Sequence, residues 1–117
     1  MSVYNAEELP STIKGFDLVS GALQSRFGLM SLSAAIDARV NIVDTSFMPE
    51  NPLILLDLAK ESNVTVVPDC EVAPSLSNIL VGHALMQLDR LDEIHVAVGG
   101  LPQSPQPPLG YTATWSV

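Results

Sequence analysis

Two short β-branched runs, VNIVD at 40–44 and VTVV at 64–67, are separated by a stretch that opens with Asn51 and Pro52. No other feature constrains the fold as much. Asn is a favoured N-cap and Pro is tolerated at the first helical position, so a helix is predicted from Asn51 to about Ser62. Strands joined through a helix run parallel, with the helix as the crossover. DLVSGA at 17–22 extends the pattern as a further strand entering a loop, and Arg26 to Ala38 as a further helix. Ser25 is the candidate N-cap of that helix, and Leu29, Leu32, Ala35 and Ile36 approximate one helical face. Residues 2–5 suit a short strand, and Glu7 to Leu9 begin a helical turn with Pro10 in its first turn. The β-α-β-α-β rhythm predicts the α/β class, a parallel sheet covered by helices. Right-handed crossovers place the loops after residues 22, 44 and 67 at one sheet edge, where open α/β sheets bind ligands.

The last third changes character. DCEVAPSLSN at 69–78 reads as a loop, and Leu76 to Leu88 as a helix with Ser75 as candidate N-cap. EIHVAV at 93–98 reads as a strand. GGLPQSPQPPLGY then carries four prolines and three glycines among thirteen residues, a specially shaped loop with apolar anchors. YTATW at 111–115 reads as a strand able to pair with 93–98, although a lone two-stranded ribbon is marginal in water. No internal repeat is visible.

The chain has 117 residues, 47% hydrophobic and 15% charged, which permits a core and argues against disorder. Thirteen acidic against five basic residues give a net charge of -8, with no Lys/Arg cluster. That field repels nucleic acid and anionic membranes, so neither is an expected partner. Any anionic cofactor has to be held by backbone N–H groups and helix ends. No apolar run is long enough to span a membrane, and MSVYNAEELP lacks the pattern of a signal peptide, so a cytoplasmic protein is expected. Cys70 is the single cysteine, which rules out an intrachain disulfide and is expected to be a small buried residue.

Several polar residues fall at the expected functional edge. Asp44 closes a strand there, placed to orient a substrate amine or a ribose hydroxyl, or to cap the loop backbone with Thr45 and Ser46. Asp69 and Glu71 suit a substrate ammonium, or are solvated acids of an acidic chain. Asn78 sits in the first turn of a helix, where N–H groups receive a carboxylate, or it caps locally near Ser75. Ser75 is a cap rather than a nucleophile. His83, inside the same helix, is expected to be packed or partly solvated. His95 is expected on the opposite strand face from Ile94 and Val96. The spacings of Cys70, His83 and His95 match no metal signature, and no metal is expected. Tyr111 and Trp115 share a strand face and suit a core or subunit interface.

These segments carry a resemblance. DLVSGALQSRFG at 17–28, VNIVDTSF at 40–47, EVAPSLSNILVG at 71–82 and VGGLPQSPQPPLGYTATWS at 98–116 resemble the saccharopine dehydrogenase and lysine 6-dehydrogenase group. The last match is long and compositionally unusual. The resemblance implies a partial Rossmann-like NAD(P)-binding domain over 1–74, then a linking helix and the start of an α+β substrate and dimerisation domain over 75–117. It implies hydride transfer from the CH–NH group of an amino acid or amine to NAD or NADP, giving an imine that hydrolyses. It places Gly21, Ala22 and Leu23 at the cofactor, and Asp44, Ser46, Phe47, Asp69, Pro74 and Asn78 around the cleft. It assigns no general base.

The chain departs from that pattern. Gln24 stands where the group often has Pro, and Glu71 and Ser75 where it usually has Gly. No G-x-G-x-x-G occurs, and the family's phosphate turn and the helix that closes its dinucleotide domain would lie outside the sequence. A fragment or shortened relative is therefore expected, inactive alone and not expected to hold the dinucleotide firmly by itself. The alternative is a noncatalytic remnant that homo-oligomerises or binds a partner chain.

Overall fold

The computed structural model describes residues 5–108, 110 and 111. Its contacts divide the chain into two compact units, Met1–Cys70 and Glu71–Val117.

The first unit is a three-stranded parallel sheet with helices between the strands. In chain order it holds α1 (Leu9–Ile13), β1 (Leu18–Gly21), α2 (Gly28–Ala38), β2 (Asn41–Asp44), α3 (Leu56–Ser62) and β3 (Val66–Val67). The sheet order is β1-β2-β3, with Val19 beside Ile42 and Ile42 beside Val66. The expected α/β rhythm is present with trimmed ends. Only Val66 and Val67 of the run 64–67 pair as a strand. Ser25 opens a 3-10 turn, Ser25–Phe27, that leads into α2, and Gln24 rather than Ser25 stands at its N-cap.

Local chemistry accounts for the helix limits. The Asn51 side chain accepts a hydrogen bond from the Leu53 N–H at 3.0 Å, and Pro52 starts a 3-10 turn that runs into α3. α2 ends at Arg39 and α3 at Asn63, both in the left-handed conformation, with φ of 57° and 56°. At each exit the next residue donates back into the helix, Val40 N–H to Ala35 O and Val64 N–H to Ala59 O, both at 2.9 Å. These bonds satisfy carbonyls that a helix end leaves open.

The core lies on one face of the sheet. Leu32, Ala35 and Ile42 are buried together, with Ile13, Val19, Met48, Leu55 and Val66 packed against them. The buried stripe of α2 is wider than periodicity suggested, because Gly28, Ser31 and Ala34 join Leu32, Ala35 and Ile36. Alternation along the strands sends the next residues to the other face. There Leu18 and Val67 are 58% and 42% exposed.

The second unit contains α4 (Ser77–Leu85), preceded by an irregular turn over Val72–Leu76 in which Ala73 is extended. The helix is shorter than the expected 76–88, and Ser75 lies in the preceding turn instead of capping it. Residues 93–98 form no strand, contrary to expectation. Alternation there is a local signal, whereas a strand needs a partner, and none pairs with this segment among the described residues. Apart from Asn5 and Tyr111, the strands expected at 2–5 and 111–115 lie outside the described residues. None of the described residues of this unit is buried.

Candidate functional site at the carboxyl edge of the sheet

Because all three strands run parallel, their carboxyl ends meet at one edge, and the loops after Gly21, Asp44 and Val67 leave from it. Asp44 is the centre of this edge. It is fully buried, at 0% exposure. Its Oδ2 accepts from the Ser46 N–H at 2.9 Å, and its Oδ1 accepts from the Ser46 hydroxyl at 2.8 Å; the Ser31 hydroxyl, whose shorter bond is to Gly28 O at 2.8 Å, stands 3.3 Å from Oδ1. The backbone continues the knot. Gly21 O accepts from the Thr45 N–H at 2.9 Å and the Thr45 hydroxyl at 3.2 Å. Asp44 O accepts from the Cys70 N–H at 2.9 Å.

Two glycines make the packing possible. A Cβ on Gly21 would collide with Asp44 Oδ1. A Cβ on Gly28 would stand 2.8 Å from Met48 Cβ and 3.0 Å from Ser46 Cβ, closer than atoms approach without displacement. The loop after β2 thus lies directly on the start of α2. Ser46 is buried with Asp44, and the chain then turns through Phe47, which has φ of 46° and is 57% exposed. A bulky residue with positive φ is uncommon and costs conformational energy. Asp69 also has positive φ, 57°, and is exposed.

The cofactor candidates divide in the same way. Gly21 is buried, Ala22 is exposed and Leu23 is half-buried. Gly21 and Leu23, with Ile13, Val19 and Ile42, line a small apolar cavity of about 140 Å³. That volume is below the range that encloses a drug-sized ligand, roughly 300–1,000 Å³. A second apolar hollow of about 150 Å³ lies between α3 and β3, lined by Leu53, Leu56, Ala59, Val64 and Val66.

Pro74 and Asn78 belong to the second unit. Both are exposed, and Asn78 sits in the first turn of α4, where its Oδ1 accepts from the Ser77 hydroxyl at 3.2 Å. Glu71 is half-buried, and its Oε1 is shielded without a hydrogen-bond partner among the described residues. His83 and His95 are exposed, beside Gln87 at 2.6 Å and Glu93 at 2.9 Å respectively. Cys70, expected to be buried, is half-buried, and its thiol faces the Val67 and Pro68 carbonyls at 3.6 and 3.7 Å. Among the described residues no group of His, Cys, Asp or Glu is arranged to hold a metal ion. No helix among them is long and apolar enough to cross a membrane.

Of the sequence candidates, Gly21, Asp44 and Ser46 pack against one another, and Asp69 adjoins them through the Cys70 bond. Ser31 and Gly28 also belong to the site and were missed. The available signal was the small-residue spacing Gly28-x-x-Ser31 at the start of an apolar helix, which lets a loop approach closely.

No family model matches the chain. Over 128 residues it is 25% identical to the saccharopine dehydrogenase (NADP(+), L-glutamate-forming) of Pyricularia oryzae, an alignment covering 99% of this chain and 27% of that protein. The chain is thus a distant, partial homologue that spans about a quarter of the relative it matches.

Proposed function

We propose that the chain carries part of the cleft of an NAD(P)-dependent oxidoreductase acting on the CH–NH group of an amino acid. The observation that supports this most is the edge where the loops after β1 and β2 converge, in a chain similar along its length to a saccharopine dehydrogenase. In this reading Ala22 and Leu23 face the cofactor, with Gly21 beneath them. Phe47 and Asp69 offer exposed contacts, and Ser46 fixes the turn that presents Phe47. In the second unit, taken by itself, Pro74 shapes a loop and Asn78 offers an exposed amide in the first turn of α4. When bound, the cofactor supplies the hydride chemistry, while the protein orients the donor carbon and excludes water.

The residues present suit only one end of a dinucleotide. The space left by the missing side chain of Gly21 is filled by Asp44, so it is not open to a pyrophosphate. No glycine turn of the phosphate-binding kind occurs in the sequence. Calorimetric titration of the full chain with NAD+, NADH, NADP+ and NADPH tests the proposal. Weak saturable binding that does not distinguish NAD from NADP is the expected result, because the two differ only at the adenosine ribose. No heat at millimolar cofactor overturns cofactor binding by this chain.

A second reading, a noncatalytic unit that homo-oligomerises or binds a partner chain, draws support from the second unit. Ile79, Leu80, Val96, Val98 and Leu101 are all more than half exposed there. Leu80, Val96 and Val98 line one groove, and exposed apolar surface of that kind marks association sites. A sedimentation coefficient that rises with protein concentration, in a chain that binds no dinucleotide, favours this reading.

A further inference from the structure

We infer that Asp44 is a positioning residue: its buried carboxylate, seated against the bare Cα of Gly21, locks the loops after β1 and β2 into one rigid rim. The inference deepens the reading above and rests on it for the rim being a ligand edge. The locking itself stands on the geometry of the first unit alone.

Three observations carry it. First, among the described residues the hydrogen bonds of the carboxylate come from donors that fix a chain direction. Ser46 is held through both its N–H and its hydroxyl, and the Ser31 hydroxyl, shared with Gly28 O, sets α2 against the carboxylate at 3.3 Å. Second, Gly21 is not among the residues of positive φ, so its backbone does not demand glycine. The demand comes from the carboxylate, because Asp44 Oδ1 and Cγ occupy the space a side chain would take. The two positions therefore form a matched pair. Third, the backbone carbonyls of the same two residues receive Thr45 and Cys70, so the ends of all three strands are tied through one point.

The consequence for chemistry is that Asp44 acts through its neighbours. A ligand cannot reach a side chain of 0% exposure without breaking its bonds to Ser46. What the rim presents instead is Phe47, one residue beyond Ser46, in a backbone conformation its own side chain disfavours. The cluster holds that conformation, as strained positions persist only where surrounding structure determines them. An asparagine in place of Asp44 keeps the shape but turns an N–H₂ group toward one of the donors, because an amide has a single acceptor oxygen.

The test is residue-resolved amide hydrogen exchange on the full chain without ligand, for the wild type and for Asp44→Ala, Asp44→Asn, Ser46→Ala, Gly21→Ala and the Gly21→Ala/Asp44→Ala double variant. Each protein is also titrated with NADPH. Asp44→Ala is expected to speed exchange on the order of tenfold at residues 22–24, 45–47 and 70, leaving the core amides of Leu32 to Ile36 within about twofold. Asp44→Asn and Ser46→Ala give the same pattern more weakly. Gly21→Ala gives it in the wild-type background and adds little once Asp44 is Ala, since the collision is gone. Exchange that rises uniformly through the first unit, or effects of Gly21→Ala and Asp44→Ala that simply add, overturns the inference. Should Asp44→Ala fail to fold, Ser46→Ala with a rim exchanging at the wild-type rate overturns it equally. Absence of NADPH binding in every protein counts against the proposed function, whereas the exchange pattern alone decides the role of Asp44.

Discussion

Leu32 and Leu80 are both leucines inside helices, one in each compact unit. The first is 0% exposed and the second 58% exposed. The contrast extends to their surroundings. In the first unit α2 lies on a sheet whose strands are tied by registered pairs, and apolar residues close over Leu32, Ala35 and Ile42. In the second unit α4 follows an irregular turn and is followed by chain without regular structure, with a groove of about 450 Å³ between Leu76, Leu80, Ala84 and the segment His95–Val98. Both units are rich in apolar residues. The difference teaches that apolar content does not make a core. Burial requires elements that come back onto one another, and the first unit obtains them from crossovers closed within its own residues.

The largest effect that sharpens this comparison is Leu32→Ala. It removes a fully buried side chain and is expected to cost about 2–5 kcal/mol in urea denaturation followed by circular dichroism. A loss well under that range means the core of the first unit is looser than its burial implies. Asn51→Ala removes the cap that receives the Leu53 N–H and is expected to cost about 1 kcal/mol by the same measurement. Arg39→Gly works in the opposite direction. It relieves a left-handed non-glycine residue at the exit of α2 and is expected to stabilise by about 0.5–1 kcal/mol, seen as a higher urea midpoint. Leu80→Ala, measured in dilute solution, is expected to change stability by no more than about 0.5 kcal/mol. A cost resembling that of Leu32→Ala breaks the comparison, because it requires a core around α4.

The first unit was legible in the sequence because its signals are local. Asn51 and Pro52 mark a helix start by their own chemistry, and both act as expected. The β-branched runs before Asp44 and Val67 announce strands, and their spacing announces the crossover. The carboxyl edge followed from parallel order alone. What the edge does with Asp44 was legible only as two alternatives, because burial and the opposing Ser31 come from a helix thirteen positions earlier. Capping of Ser46 by Asp44 is the bond pattern now visible, and the contribution of Gly21 depends on the same three-dimensional proximity. The segment 93–98 misled for a related reason. Its apolar alternation is compatible with a strand, but pairing is a property of two segments, and none of the described residues supplies the second.

The left-handed exits at Arg39 and Asn63 carry a further consequence. Each is followed by a valine that donates to the carbonyl five positions back, and then by the residue that leads into the core-facing strand position, Asn41 and Thr65. These last two also meet directly, since the Thr65 N–H donates to Asn41 Oδ1 at 2.8 Å. The repeated exit works like a phase marker. It counts the same four residues from the last helical residue, Ala38 or Ser62, to the core-facing strand position, so that Ile42 and Val66 arrive on the same face side by side. A single residue inserted at the Arg39 exit would shift that count by one and turn β2 inside out, sending Ile42 toward water and Val43 into the core, and one inserted at the Asn63 exit would do the same to Val66 and Val67. Loop length at these two points is therefore as tightly determined as the identity of any buried side chain.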